Sequence, residues 1–87
     1  VAKYKITFKK SVAKDLRAIP NQDVARILSC IDQLAAPPRA EGCIKLMGRE
    51  SYRVRQGIYR IIYDIRDEVL LVNVVKVAHR AEVYKYS

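Results

Sequence analysis

The 87 residues, 51% of them apolar, suffice for one folded domain with a modest core and are too few for two. Seventeen Lys and Arg against nine Asp and Glu leave a net charge of +8, so the natural partners are polyanions: nucleic acid, an acidic protein segment or an anionic membrane. No apolar run approaches the ~20 residues of a spanning helix and the first residues lack a signal-peptide pattern, so a cytoplasmic location is expected. Cys30 and Cys43 form no C-x-x-C pair and share the chain with a single His, which makes reduced, partly buried thiols the expectation and a zinc site not.

Tyr4, Ile6 and Phe8 alternate with Lys3, Lys5 and Thr7, which predicts a half-buried strand over Ala2 to Phe8. Ser11 is placed to cap a short helix over Val12 to Ile19, whose apolar Val12, Leu16 and Ile19 fall at helical spacing before Pro20. Asn21 offers a second cap, and Val24, Ile27, Leu28, Ile31, Leu34 and Ala35 form an amphipathic stripe that Pro37-Pro38 ends. Helices joined by so short a turn make an αα-hairpin whose apolar face needs a sheet to cover. The stripe is therefore assigned to the core rather than to a docking surface. Arg39 to Gly42 reads as a polar connection, and Ile44-Lys45-Leu46 with Met47-Gly48 as a short strand.

Between Tyr52 and Tyr63, β-branched and aromatic residues alternate with Arg on both sides of a glycine, the pattern of a β-hairpin turning at Gln56-Gly57. With a two-residue turn there, Arg55 faces Ile58 and Arg53 faces Arg60. Directly opposed residues share a face, so Arg53, Arg55 and Arg60 emerge together while Tyr52, Val54, Tyr59 and Ile61 point the other way. A three-residue loop would instead set Val54 opposite Arg60 and turn that arginine over. Like charges on neighbouring strands repel, and a cluster of three points to a bound anion, phosphate above all.

Asp67-Glu68 offers a turn, and the nearly continuous apolar run from Val69 to Val77 predicts a strand buried on both faces and central in its sheet. The whole is then a single α+β domain over residues 1–87: an N-terminal strand, an αα-hairpin and a three- to four-stranded antiparallel sheet, in the order β-α-α-β-β-β. No phosphate-cradling glycine loop, H-E-x-x-H motif or carboxylate cluster is present. Arg, Tyr and one His remain, an inventory suited to cofactor-free, metal-free phosphodiester chemistry on RNA, where the 2′-hydroxyl is the nucleophile and the protein stabilises charge and moves protons.

The segments Lys45-Leu46-x-Gly48, Tyr52-Arg53-Val54-Arg55, Gly57-x-Tyr59-Arg60-Ile61-Ile62-Tyr63 and Val77-x-His79-Arg80-x-Glu82-Val83-Tyr84, in this order after an αα-hairpin, resemble a RelE-type toxin of the RelE/ParE superfamily over essentially the whole chain. The resemblance implies a ribosome-dependent endoribonuclease that cuts messenger RNA in the A site and is silenced by a cognate antitoxin. It places RNA and phosphate binding on Arg53, Arg55 and Lys45, and catalysis on Arg60, Arg80 and Tyr84. Arginine at both Arg53 and Arg55, where lysines can stand, departs from one pattern of these toxins and removes a proton acceptor, since guanidinium pKa values exceed ~12. Proton transfer then rests with Tyr84 or with His79, the one side chain that titrates near neutrality unperturbed. The chain ends three residues after Tyr84, so a further C-terminal helix carried by some members is not expected.

Two other functions fit parts of the pattern. A ParE-type gyrase inhibitor shares the fold but gives no reason for phosphate-binding residues on one face. A non-catalytic nucleic-acid-binding module needs only the +8 charge. The expected protein partner is an antitoxin acidic at its contact, with the ribosome and messenger RNA as the other partners and no membrane.

Overall fold

The computed structural model describes residues 3–36, 38–39, 42–46 and 50–79. Strand β1 (Lys5–Phe8) leads into helices α1 (Lys10–Arg17) and α2 (Asn21–Gln33). Strands β2 (Ile44–Lys45), β3 (Ser51–Gln56) and β4 (Tyr59–Arg66) follow, then a 3₁₀ turn (Asp67–Val69) and β5 (Leu71–His79). The strands form one five-stranded sheet in the order β1-β5-β4-β3-β2. β2 to β5 are antiparallel neighbours, as expected, and β1 joins the edge parallel to β5.

Both helices lie on one face of this sheet. Val12, Ile19, Ile27, Ile31 and Leu34 from the helical hairpin pack against Tyr52, Val54, Ile61, Tyr63, Ile65, Val72, Val74 and Val77 from the strands. The α2 stripe is thus core, although Leu28 at its margin stays exposed. Tyr63, fully buried, donates a 2.7 Å hydrogen bond to the carbonyl of Pro38 and so pins the proline connection to β4. Burial foremost, then the nearby Cys43 thiol, pushes the Tyr63 phenol above its ordinary value.

The helix starts and the place of β5 differ from the sequence expectation. α1 starts at Lys10 with Lys9 at its N-cap, so Ser11 lies inside the helix and caps nothing. The backbone leaves β1 by donating from Lys9 N to Val74 O, and the helix starts two residues early. Asn21 is likewise the first helical residue, behind Pro20, whose carbonyl accepts from Asp23 and Val24. β5 is an interior strand, but β4 is the central one, and of β5 only Val72, Val74, Val77 and Ala78 are buried. Ala2, Pro37 and Met47-Gly48 lie outside the described residues.

β4 and β5 lose register at Ile62/Tyr63: Ile62 pairs with Lys76 and Tyr63 with Val74, leaving Val75 as an extra residue in a β-bulge. The bulge lets Val74 and Val77 both enter the core while Val75 packs with Leu46 and Ile62 on the opposite face. It also decides which way the end of β5 faces.

Arg39, read from sequence as part of a polar connection, is a fastener. Its guanidinium forks onto Asp67 at 3.1 and 2.9 Å, lies over the Tyr52 ring and donates to the Tyr52 hydroxyl at 3.2 Å. Tyr4 donates to the same carboxylate at 2.6 Å. These bonds, the Arg39 guanidinium first, hold Asp67 down at about 2 against an ordinary 3.8. A carboxyl lowered on folding adds stability above its unfolded pKa and loses it as pH falls towards the folded one. Urea midpoints taken at a series of pH values should show this contribution lost between pH 3.8 and about 2, and Asp67→Asn should flatten that part of the acid limb; equal slopes for both proteins would refute the assignment.

Candidate nucleic-acid interface

The hairpin turn holds two residues, Gly57 and Ile58, one position later than expected, with Gln56 paired to Tyr59. Gly57 takes φ +60, the left-handed backbone such a turn needs at its first central residue. Arg55 therefore faces Arg60, and Arg53 faces Ile62. Moving the turn by one residue shifts each pairing by two and leaves every side chain on its expected face. Arg53, Arg55 and Arg60 do emerge together, opposite the helices.

Followed across the strands from the turn, this outer face carries three rows, with Arg66, Leu71 and Lys5 forming a fourth beyond them. Nearest the turn are Arg55, Arg60 and Ala78; next come Ile44, Arg53, Ile62 and Lys76; third come Ser51, Asp64, Asn73 and Thr7. The third row is closed on itself, Ser51 donating to Asp64 and Thr7 to Asn73. Lys76 reaches the sheet margin and meets Asp15 of α1 at 2.8 Å. Arg53 and Arg55, by contrast, have no hydrogen bond or ion pair among the described residues. Arg60 donates to the Tyr59 carbonyl at 3.3 Å.

The arginines surround a concavity of about 310 Å³ lined by Gly42, Ile44, Arg53, Val54, Arg55 and Arg60. Glu50, Asp64, Asp67 and Glu68 line a separate hollow with Ser51, Ile65 and Arg66. Three arginines thus gather at the turn end of the face, and four carboxylates line the hollow at the opposite end of the sheet. A planar guanidinium offers paired N–H donors to phosphate oxygens, and three around one hollow can hold a phosphodiester from several sides.

The other candidate residues fall elsewhere. Lys45 pairs with Tyr52, so it projects to the helix side of the sheet, where it meets Glu50 at 3.4 Å. His79 pairs with Tyr59 and sets its ring edge-on to that tyrosine at 6.3 Å, again on the helix side. The β5 bulge is responsible: without the extra residue at Val75, the alternation set by Val72 and Val74 would put His79 on the arginine face. Burial foremost, then the Asp23 carboxylate, pushes the Tyr59 phenol above its ordinary value. Arg80 and Tyr84 lie outside the described residues. Sequence reasoning missed Gly42 and Ile44 as wall residues, although the alternation about Lys45 already put Ile44 on the face opposite that lysine.

These features define a small α+β toxin fold with a basic sheet face. The family described as ParE toxin of type II toxin-antitoxin system, parDE, matches residues 6–84, and the chain belongs to it, as a RelE-type toxin of the RelE/ParE superfamily. It is similar to Toxin RelG of Mycobacterium tuberculosis, with 30% identity over 94% of this chain and 97% of that protein. Among solved structures, it resembles the archaeal RelE–RelB complex of Pyrococcus horikoshii at TM-score 0.82 and 29% identity, over 92% of this chain and 98% of that one. The isolated Escherichia coli RelE toxin matches at TM-score 0.76 and 26% identity, over 94% and 92%.

Opposed like charges destabilise a sheet by ~0.2–1 kcal/mol. Arg55→Gln should accordingly raise the thermal midpoint in low salt, with the gain shrinking as salt screens the pair, while weakening binding to a polyanion. A fall in the midpoint would mean that Arg55 and Arg60 do not oppose each other.

Proposed function

We propose that this toxin is a ribosome-dependent endoribonuclease that cleaves messenger RNA in the A site and so stops translation. The reading rests on Arg53 and Arg55, which have no ion pair among the described residues, standing beside Arg60 around one concavity, supported by the similarity to RelE toxins. In the proposed reaction the ribose 2′-hydroxyl attacks the adjacent phosphorus and the 5′-oxygen leaves. The products are a 2′,3′-cyclic phosphate and a 5′-hydroxyl. Arg53 and Arg55 hold the phosphate, Arg60 faces the charge that grows on its non-bridging oxygens, and Arg80 shares that work. Such preorganised charge acts mainly in the transition state.

Proton transfer is assigned to Tyr84, whose phenol needs neighbouring guanidiniums to lower its pKa from ~10. His79, on the helix side with Tyr59, and Lys45, paired with Glu50, are given no part in the chemistry. An antitoxin is the proposed protein partner, as RelB is in the Pyrococcus horikoshii complex. An apolar groove lined by Phe8, Val12, Ala13, Leu16 and Leu28 and rimmed by Lys9 and Lys10 suits an amphipathic helix with acidic flanks. Gyrase inhibition is kept as the second reading because the matching family bears the ParE name.

Expression in growing cells with mapping of transcript 5′ ends separates these readings. Breaks should appear in translated messages only, and Arg60→Ala should reduce them ~100- to 1000-fold while His79→Ala leaves them in place. Gyrase inhibition unaccompanied by message cleavage would overturn the proposal, as would undiminished cleavage by Arg60→Ala.

A further inference from the structure

We propose that Ile44 is a specificity-determining residue, the apolar wall against which the nucleobase beside the bound phosphodiester packs. This rests on the ribonuclease reading above and goes beyond it by assigning a base-contacting surface. Ile44 stands on β2, the outermost strand of the sheet, directly opposite Arg53 and on the same face. It is half exposed, at 50%, while its neighbours on that face, Leu46 and Ile62, are buried. A large aliphatic side chain left open to water beside the guanidiniums of Arg53 and Arg55, which have no ion pair among the described residues, is matched to a ligand with an anionic part and an apolar part. A nucleotide has both.

The geometry separates the two parts. Arg53, Arg55 and Arg60 come from β3 and β4 and line the hollow on one side, while Ile44 and Gly42 line it on the β2 side. With the phosphate on the guanidiniums, the attached nucleoside has two ways to lie: out into solvent or against Ile44. The second buries apolar surface from both partners. The space beside Gly42 is open among the described residues, with nothing within 4 Å of where a Cβ would stand. A flat ring has room to approach, and the contact tolerates several bases while favouring those with the larger apolar face.

The wall makes no hydrogen bond, so it biases the cut site rather than reading a fixed sequence. Loss of a few methylene contacts in an apolar site is worth ~10-fold in discrimination. Ile44→Thr keeps the β-branched shape that suits a strand and removes apolar surface, whereas Ile44→Phe adds an aromatic face on which bases stack.

The test maps cleavage sites in cells expressing the full chain without antitoxin, comparing the parent with Ile44→Thr, Ile44→Phe and Arg60→Ala, with thermal melts confirming that each folds. The expected result is that Ile44→Thr flattens the base preference next to the cut and slows cleavage ~10-fold, while Ile44→Phe shifts the preference towards purines. An unchanged site distribution in both folded Ile44 variants would overturn the inference. If Ile44→Thr alone failed to fold, an unchanged distribution in Ile44→Phe would suffice to do so. Should Arg60→Ala cut as well as the parent, the ribonuclease reading fails instead, so the two failures are told apart.

Discussion

The pairing of β3 with β4 is the constraint from which the rest of the site follows. Because side chains alternate along a strand, one count, the number of residues in the turn, decides whether Arg53, Arg55 and Arg60 share a face. Two residues, Gly57 and Ile58, give the shared face. The same count sends Tyr52, Val54, Ile61 and Tyr63 into the core. Hydrophobic burial on one side thereby enforces charge crowding on the other, and the arginines cannot relax by a one-residue slip without expelling the core. The repulsion between Arg55 and Arg60 is held in place by the packing beneath it.

How far this was legible in the sequence depended on whether a local pattern determined the outcome. The strands and helices announce themselves through periodicity. Ile27, Ile31 and Leu34 repeat at helical spacing and are buried, and Val54 and Ile61 alternate with arginines and are buried too. The turn was placed one residue early, yet the face assignment survived because parity, not position, carries it. Ser11 misled because a capping residue marks a helix start only where the backbone needs it, and here the bond from Lys9 to Val74 begins the helix sooner.

Non-local features could not be read. An extra residue at Val75 is invisible in a run of Leu, Val and Asn, but it reverses the end of β5 and carries His79 to the face opposite the arginines. Lys45 belongs to a two-residue edge strand whose orientation is fixed only by pairing with Tyr52. The union of Tyr4, Arg39, Tyr52 and Asp67 likewise draws on four separate segments. Composition showed the excess of positive charge; only the register showed which three arginines share one end of one face.

The margins of the sheet bear on another property. β1 covers β5 only from Leu71 to Val74, so the stretch beyond would offer bare backbone to any passing strand. Asp15 closes it: one carboxylate oxygen accepts from the Val77 amide at 3.2 Å and the other binds the Lys76 ammonium. The opposite margin, β2, spans two residues, too brief a template for a foreign strand to zip along. Short or guarded borders of this kind discourage the edge-to-edge polymerisation to which small open sheets are prone.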